Sequence, residues 1–108
     1  MKRKSSGKYK NKKTGGFASK KEHNRFVELQ VLERCGEIFD LETQTEFELI
    51  PKQAGERAVT YTADFAYRDK AGKIVVEDVK YSFTRKLPVW IIKRKLMLWV
   101  HGIRVLET

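Results

Sequence analysis

Asp64, Asp78 and Lys80 are the side chains of this sequence whose types and spacing point most directly to chemistry. They sit on two runs that read as strands. Val59 to Tyr67 alternates, with Val59, Tyr61, Ala63, Phe65 and Tyr67 on one face and Thr60, Thr62, Asp64 and Ala66 on the other. Lys73 to Phe83 is a second β-rich run. Between them, Lys70-Ala71-Gly72 with a left-handed Gly72 suits a three-residue hairpin loop. If Asp69 pairs with Lys73, then Asp64 falls directly opposite Asp78, each five positions from the closing pair. Opposed residues share a face, with Cβ atoms about 4.5–5.5 Å apart. Lys80, two positions past Asp78, returns to that face.

Two carboxylates that close repel one another unless one is protonated, a cation neutralises them or water screens them. Asp64, Asp78 and the carbonyl of Val79 offer hard oxygen donors that suit Mg²⁺ or Mn²⁺. A metal there would hold a phosphodiester, stabilise developing charge and acidify a water. Lys80 beside it would orient or deprotonate that water, or stabilise the new negative charge. Short motifs carry a competing reading: fourteen acids and fifteen lysines give about two acid-X-Lys triplets by chance. A solvated cross-strand Asp–Lys pair would have the same pattern. A one-residue slip of the hairpin would bring Glu77 opposite Asp64 and turn Asp78 away; the acid-X-Lys spacing favours Asp78.

The elements that must position these groups follow from capping and periodicity. Ser19 and Glu22 form a capping box. Phe26, Leu29 and Leu32 then recur at helical spacing, and Gly36 is a stop, which predicts a helix over 19–35. Glu22 has two readings, a structural cap or an inward acid that reaches the sheet as a further ligand or base. Gln44 is a weaker candidate for orienting a water or phosphate. Ile38–Leu41 and Thr45–Ile50 read as strand, and Pro51 to Arg57 as turn. Pro88 opens a second helix that runs to about His101, where Gly102 closes it, and Ile103–Leu106 reads as a short strand. The expected class is α/β (α+β): a small mixed sheet flanked by helices, in the order αβββαβ.

The chain has 108 residues, 41% of them apolar, enough for one modest core. The net charge is +9, and residues 1–21 hold nine Lys/Arg and no acid. Residues 1–18 therefore read as a flexible basic arm, and 19–108 as the folded domain. An arm of this kind suits a polyanion, with salt-dependent binding. Lys8, Lys10, Lys12, Lys13, Lys20 and Lys21 are the candidate phosphate contacts, joined by Lys93, Arg94 and Lys95 on the second helix. The bland alternatives are a solubilising tail and the wet side of a buried helix. That helix is apolar almost all round, so Trp90 or Trp99 would suit an anchor for a partner chain. His23 and His101 carry no marked signal. No run approaches about 18 uncharged apolar residues, and no apolar run follows the basic start, so neither a membrane span nor a secretory leader is expected. Cys35, the single cysteine, excludes an internal disulfide and a Cys-rich zinc site. The expectation is a cytoplasmic protein.

The pattern resembles the PD-(D/E)XK nuclease superfamily. A first helix carries an acid, Tyr-Thr-Ala-Asp64-Phe lies on one strand and Val-Val-Glu-Asp78-Val-Lys80 on the next, and a basic helix and a closing strand follow. Within it the chain is most similar to small phage-encoded nuclease-like proteins of the DUF1064 type. The similarity runs from about Tyr9 to Leu106 and includes Ser19-Lys-Lys-Glu22, Phe47-Glu-Leu-Ile50 and Lys93-Arg-Lys-Leu. It implies a restriction-endonuclease-like fold and a metal-dependent endodeoxyribonuclease, with host-cell cytoplasm as its place. Asp64 and Asp78 would bind Mg²⁺ or Mn²⁺, Lys80 would be the catalytic lysine and Glu22 the first-helix acid. Ala63 stands where the name-giving proline would be, and Tyr81 where a glycine is often seen. The implied partner is DNA, by family analogy a branched or recombination intermediate, and a homodimer would place two sites on two strands. Two other classes remain open: a non-catalytic nucleic-acid-binding protein on the same fold, and a phage accessory factor acting through its second helix.

Overall fold

The structure is a computed structural model, and it describes residues 19–108. The basic-arm residues Lys8, Lys10, Lys12 and Lys13 lie outside the described residues. Helix α1 spans Lys20–Arg34. The Ser19 hydroxyl accepts the Glu22 N–H at 3.1 Å, one half of the expected capping box. The helix ends in a Schellman motif: Gly36 has φ +78°, Glu37 N–H donates to the Leu32 carbonyl and Gly36 N–H to that of Glu33.

Four strands follow in a sheet of order β1-β2-β3-β4: β1 Ile38–Ile50, β2 Val59–Asp69, β3 Ile74–Asp78 and β4 Leu106–Glu107. The first two pairings are antiparallel and β3–β4 is parallel. Strand β1 joins the two runs expected over 38–50, and it bends where Asp40 and Gln44 adopt φ of 58° and 53°. The hairpin register is the one the loop predicts. Asp69 N–H donates to the Lys73 carbonyl at 2.9 Å, Gly72 has φ +82°, and Phe65 pairs with Glu77. The Asp69 carboxylate also accepts the N–H groups of Ala71 and Lys73, so its side chain closes the turn from within.

Strand β3 stops at Asp78, five residues short of the expected Phe83. The Thr84 hydroxyl accepts the Tyr81 N–H at 2.9 Å and donates to the Tyr81 carbonyl at 2.8 Å. It thereby satisfies groups a ladder would otherwise have used, and a 3-10 turn forms over Thr84–Lys86. Helix α2, Pro88–Leu96, continues as a π-type turn over Met97–His101 before Gly102, at φ +70°, ends it. His101 terminates that turn with a ring nitrogen 2.7 Å from the Glu48 carbonyl and an edge-on contact to Phe47. Strand β4 begins later than expected because Ile103 still caps the helix, its N–H reaching the Met97 carbonyl.

The alternating stripe of β2 does not stay on one face. Tyr61 and Ala63 pack with Leu49, Val76, Trp90 and Met97, whereas Phe65 and Tyr67 pack with Leu29 and Ile38 of the α1 side. The stripe divides at Asp64, opposite the bend in β1, and that acid therefore sits at the seam between two cores. Within the α1-side layer Glu77 is 1% exposed. Arg25 meets it with two hydrogen bonds of 2.7 Å, and the Tyr67 hydroxyl donates to it. Burial, then Glu77, pushes the Tyr67 hydroxyl above its ordinary pKa. This accounts for Glu77: it faces α1, away from Asp78, and serves the core. Arg25→Met leaves a buried carboxylate without its partner, so urea unfolding should show a loss of about 3 kcal/mol, with part regained in Arg25→Met/Glu77→Gln. A double-variant loss equal to the sum of the Arg25→Met and Glu77→Gln losses would show that the pair is not coupled.

Candidate active site

Three elements converge on one cleft of about 720 Å³. Strand β2 brings Thr60, Tyr61, Thr62 and Asp64, the end of β3 brings Asp78, Val79 and Lys80, and α1 brings Ser19 and Glu22. Trp90 and Lys93 of α2 close the far wall. Asp64, Asp78 and Lys80 thus line one cleft, as the hairpin spacing predicts, and Glu22 lines it too.

Each carboxylate is held differently. Asp64 Oδ2 accepts the Val79 N–H at 2.8 Å, which ties the two strands where their ladder ends. Asp78 is buried, and its Oδ2 lies 2.9 Å from Lys80 Nζ. Glu22, also buried, accepts the Gln44 side-chain amide at 3.3 Å. Its side chain turns inward to Gln44, while its backbone N–H is capped by Ser19. Gln44 reaches Glu22 from a left-handed backbone, a conformation costing a non-glycine residue about 1–3 kcal/mol.

Burial pushes the Asp64 carboxyl up to about 7; the hydrogen-bonding and charge of Asp78 and the charge of Glu22 act in the same direction, and the Val79 N–H opposes them. The Tyr61 hydroxyl is buried beside Asp78, and burial first, then the charge and hydrogen-bonding of that carboxylate, raise its pKa. Oxygen donors crowded at a seam, with one carboxyl driven toward its neutral form, fit a divalent cation or its waters. Among the described residues, no group of three or more acidic, His or Cys side chains is drawn tightly enough to enclose an ion unaided.

Lys80 is positioned by residues that the sequence analysis did not assign to it. Its Nζ lies 4.1 Å from the centroid of the Trp90 ring. The Trp90 indole N–H donates to Glu107 on β4, and Arg94 lies 3.6 Å from the same carboxylate. Trp90 is therefore an internal wall of the cleft and not a partner anchor, whereas Trp99 is 84% exposed. Glu107 carried no signal in local spacing, because it reaches the site through the parallel pairing of β4 with Asp78.

The candidate phosphate contacts separate. Lys93 borders the cleft, and Lys21 donates to the Lys80 carbonyl at 2.8 Å. Lys20 borders a second concavity with Asn24, Arg25 and Thr108. Arg94 and Lys95 line a third, with Leu98 and Arg104, so the expected single patch on α2 is split by the turn of the helix. No helix of the described residues is long and apolar enough to cross a membrane.

The raised Asp64 carboxyl has a consequence for stability without metal. Its folded value exceeds its unfolded one, so its favourable share is complete below about pH 4 and is lost as pH rises toward about 7. Solvent screening of this half-buried group leaves roughly 1–2 kcal/mol of that penalty. With chelator present at about pH 8, Asp64→Asn should melt about 5 °C or more above wild type, and the gap should narrow at about pH 5. A pH-independent gap, or a lower melting point throughout, would contradict this electrostatic origin.

No curated protein and no solved structure matches the chain significantly. Residues 4–101 match the model of a family described as a protein of unknown function (DUF1064). That match spans nearly the whole sequence, as the resemblance of its motifs implied, and the chain belongs to this family.

Proposed function

We propose that this chain is a metal-dependent DNA endonuclease of the PD-(D/E)XK type. One observation carries the reading: Asp64, Asp78, Lys80 and Glu22 line one open cleft, with Lys80 Nζ 2.9 Å from Asp78 Oδ2. Mg²⁺ or Mn²⁺, held by Asp64, Asp78 and the Val79 carbonyl, would polarise the phosphate and acidify a water. Lys80, steadied by the Trp90 ring, orients that water or stabilises charge growing on the phosphoryl oxygens. Glu22, braced by Gln44, would serve in the same cleft as a further ligand or base. Hydrolysis adds one water across the P–O bond: its oxygen joins phosphorus, and its protons divide between the new phosphate monoester and the departing alcohol. Lys21 and Lys93 contact the flanking DNA backbone. Phage or mobile-element DNA processing is the setting that the motif resemblance suggests.

A second reading, binding without catalysis, draws on the ion pair of Asp78 with Lys80 and on the absence of a closed acid cluster among the described residues. The decisive test is incubation of plasmid, branched and single-stranded DNA with Mg²⁺ or Mn²⁺. Wild type should cleave, and Asp78→Ala and Lys80→Ala should each lose about 10²-fold or more. Calorimetry should show Mn²⁺ binding that Asp78→Ala abolishes. DNA binding with neither cleavage nor Mn²⁺ uptake supports the second reading, and activity unchanged in both variants overturns the site.

A further inference from the structure

Directly after Lys80 the chain leaves the sheet and presents two aromatic rings to solvent. Tyr81 and Phe83 stack with centroids 6.5 Å apart and 14° between ring planes. They are 44% and 68% exposed. Neither belongs to either core cluster, so their burial adds little to the fold. The segment is nevertheless held in place. Thr84 clamps Tyr81 from both sides of its peptide, and Arg85 N–H donates to the Tyr81 carbonyl at 3.1 Å. Lys21 Nζ lies 4.8 Å from the Tyr81 centroid and ties the pair to α1. Tyr81 also lines the cleft that holds Asp64 and Asp78.

Along the chain, the charge beside the rings is of one sign, and the acids of the cleft lie on the Tyr81 side only. From Val79 to Leu106 the sequence contains no acid, and Arg85 and Lys86 follow Phe83 after Thr84. Paired, ordered aromatic rings set among cations suit a ligand with flat π-faces on an anionic backbone. A protein partner would need acidic groups but no stacking bases. The interior of a duplex buries its base faces, whereas a single strand, frayed end or branch point offers them.

We propose that Tyr81 and Phe83 form a stacking platform for an unpaired nucleobase beside the cleft, so that the substrate class is DNA with unpaired bases. This rests on the nucleic-acid reading above and names its substrate. The test measures binding, separately from cleavage. Anisotropy with the full chain in chelator compares three labelled probes of equal length: an oligothymidylate, an abasic oligomer with the same phosphates, and a blunt duplex. Wild type should bind the oligothymidylate about tenfold more tightly than the abasic strand. Tyr81→Ala/Phe83→Ala should erase that ratio, while Tyr81→Phe, which keeps the ring, should retain it. Equal binding of thymidylate and abasic strands by wild type, a ratio unchanged in the double variant, or no DNA binding overturns the proposal. Base-dependent binding without cleavage in Mg²⁺ leaves the platform standing and removes the hydrolase reading. Cleavage of duplex with no base-dependent binding does the reverse.

Discussion

The closeness of Asp64 and Asp78 is the constraint around which the molecule is organised. Two like charges at the end of a hairpin are unfavourable, and the fold keeps them there by fastening the backbone on every side. The Val79 N–H meets Asp64, and the Asp78 carbonyl accepts the Thr108 N–H at 3.0 Å. Lys80 N–H in turn donates to the Thr108 carbonyl. Lys80 offsets one charge, and burial drives Asp64 toward its neutral form. Local energy is conceded at this spot, as is common where a site must receive a ligand.

The rest of the structure divides the labour between two acidic clusters of opposite character. Glu77, one residue before Asp78, is closed off by Arg25 and Tyr67. Its hydrogen-bonding capacity is spent inside the core. Asp78 faces the other way and opens to the cleft. Alternation along one short strand therefore separates a carboxylate closed inside the core from one that lines the cleft.

Much of this was readable in the sequence because it depends on short-range rules. Ser19 with Glu22, and Gly72 with Asp69, are local signals, and the hairpin carried its register outward from the loop to Asp64 and Asp78. What escaped were features decided by distant contacts. The division of the β2 stripe at Asp64 depends on a bend at Gln44 in another strand. The early end of β3 depends on one hydroxyl, that of Thr84. Glu107 enters through a two-residue parallel pairing too short to leave a periodic pattern. The inward turn of Glu22 was legible as one of two readings, and it is decided by Gln44, which meets the carboxylate from a distant strand while Ser19 holds the backbone N–H.

The contact between Lys80 and Trp90 makes the molecule its own optical instrument. An ammonium 4.1 Å above a buried indole sets the electric field that the chromophore feels, and the colour of indole emission responds to such a field. The second indole, Trp99, stands in water and emits as a solvated ring. Any event that draws Lys80 off Trp90 therefore writes itself into the blue part of the fluorescence spectrum, and the chain reports the state of its own lysine without a label.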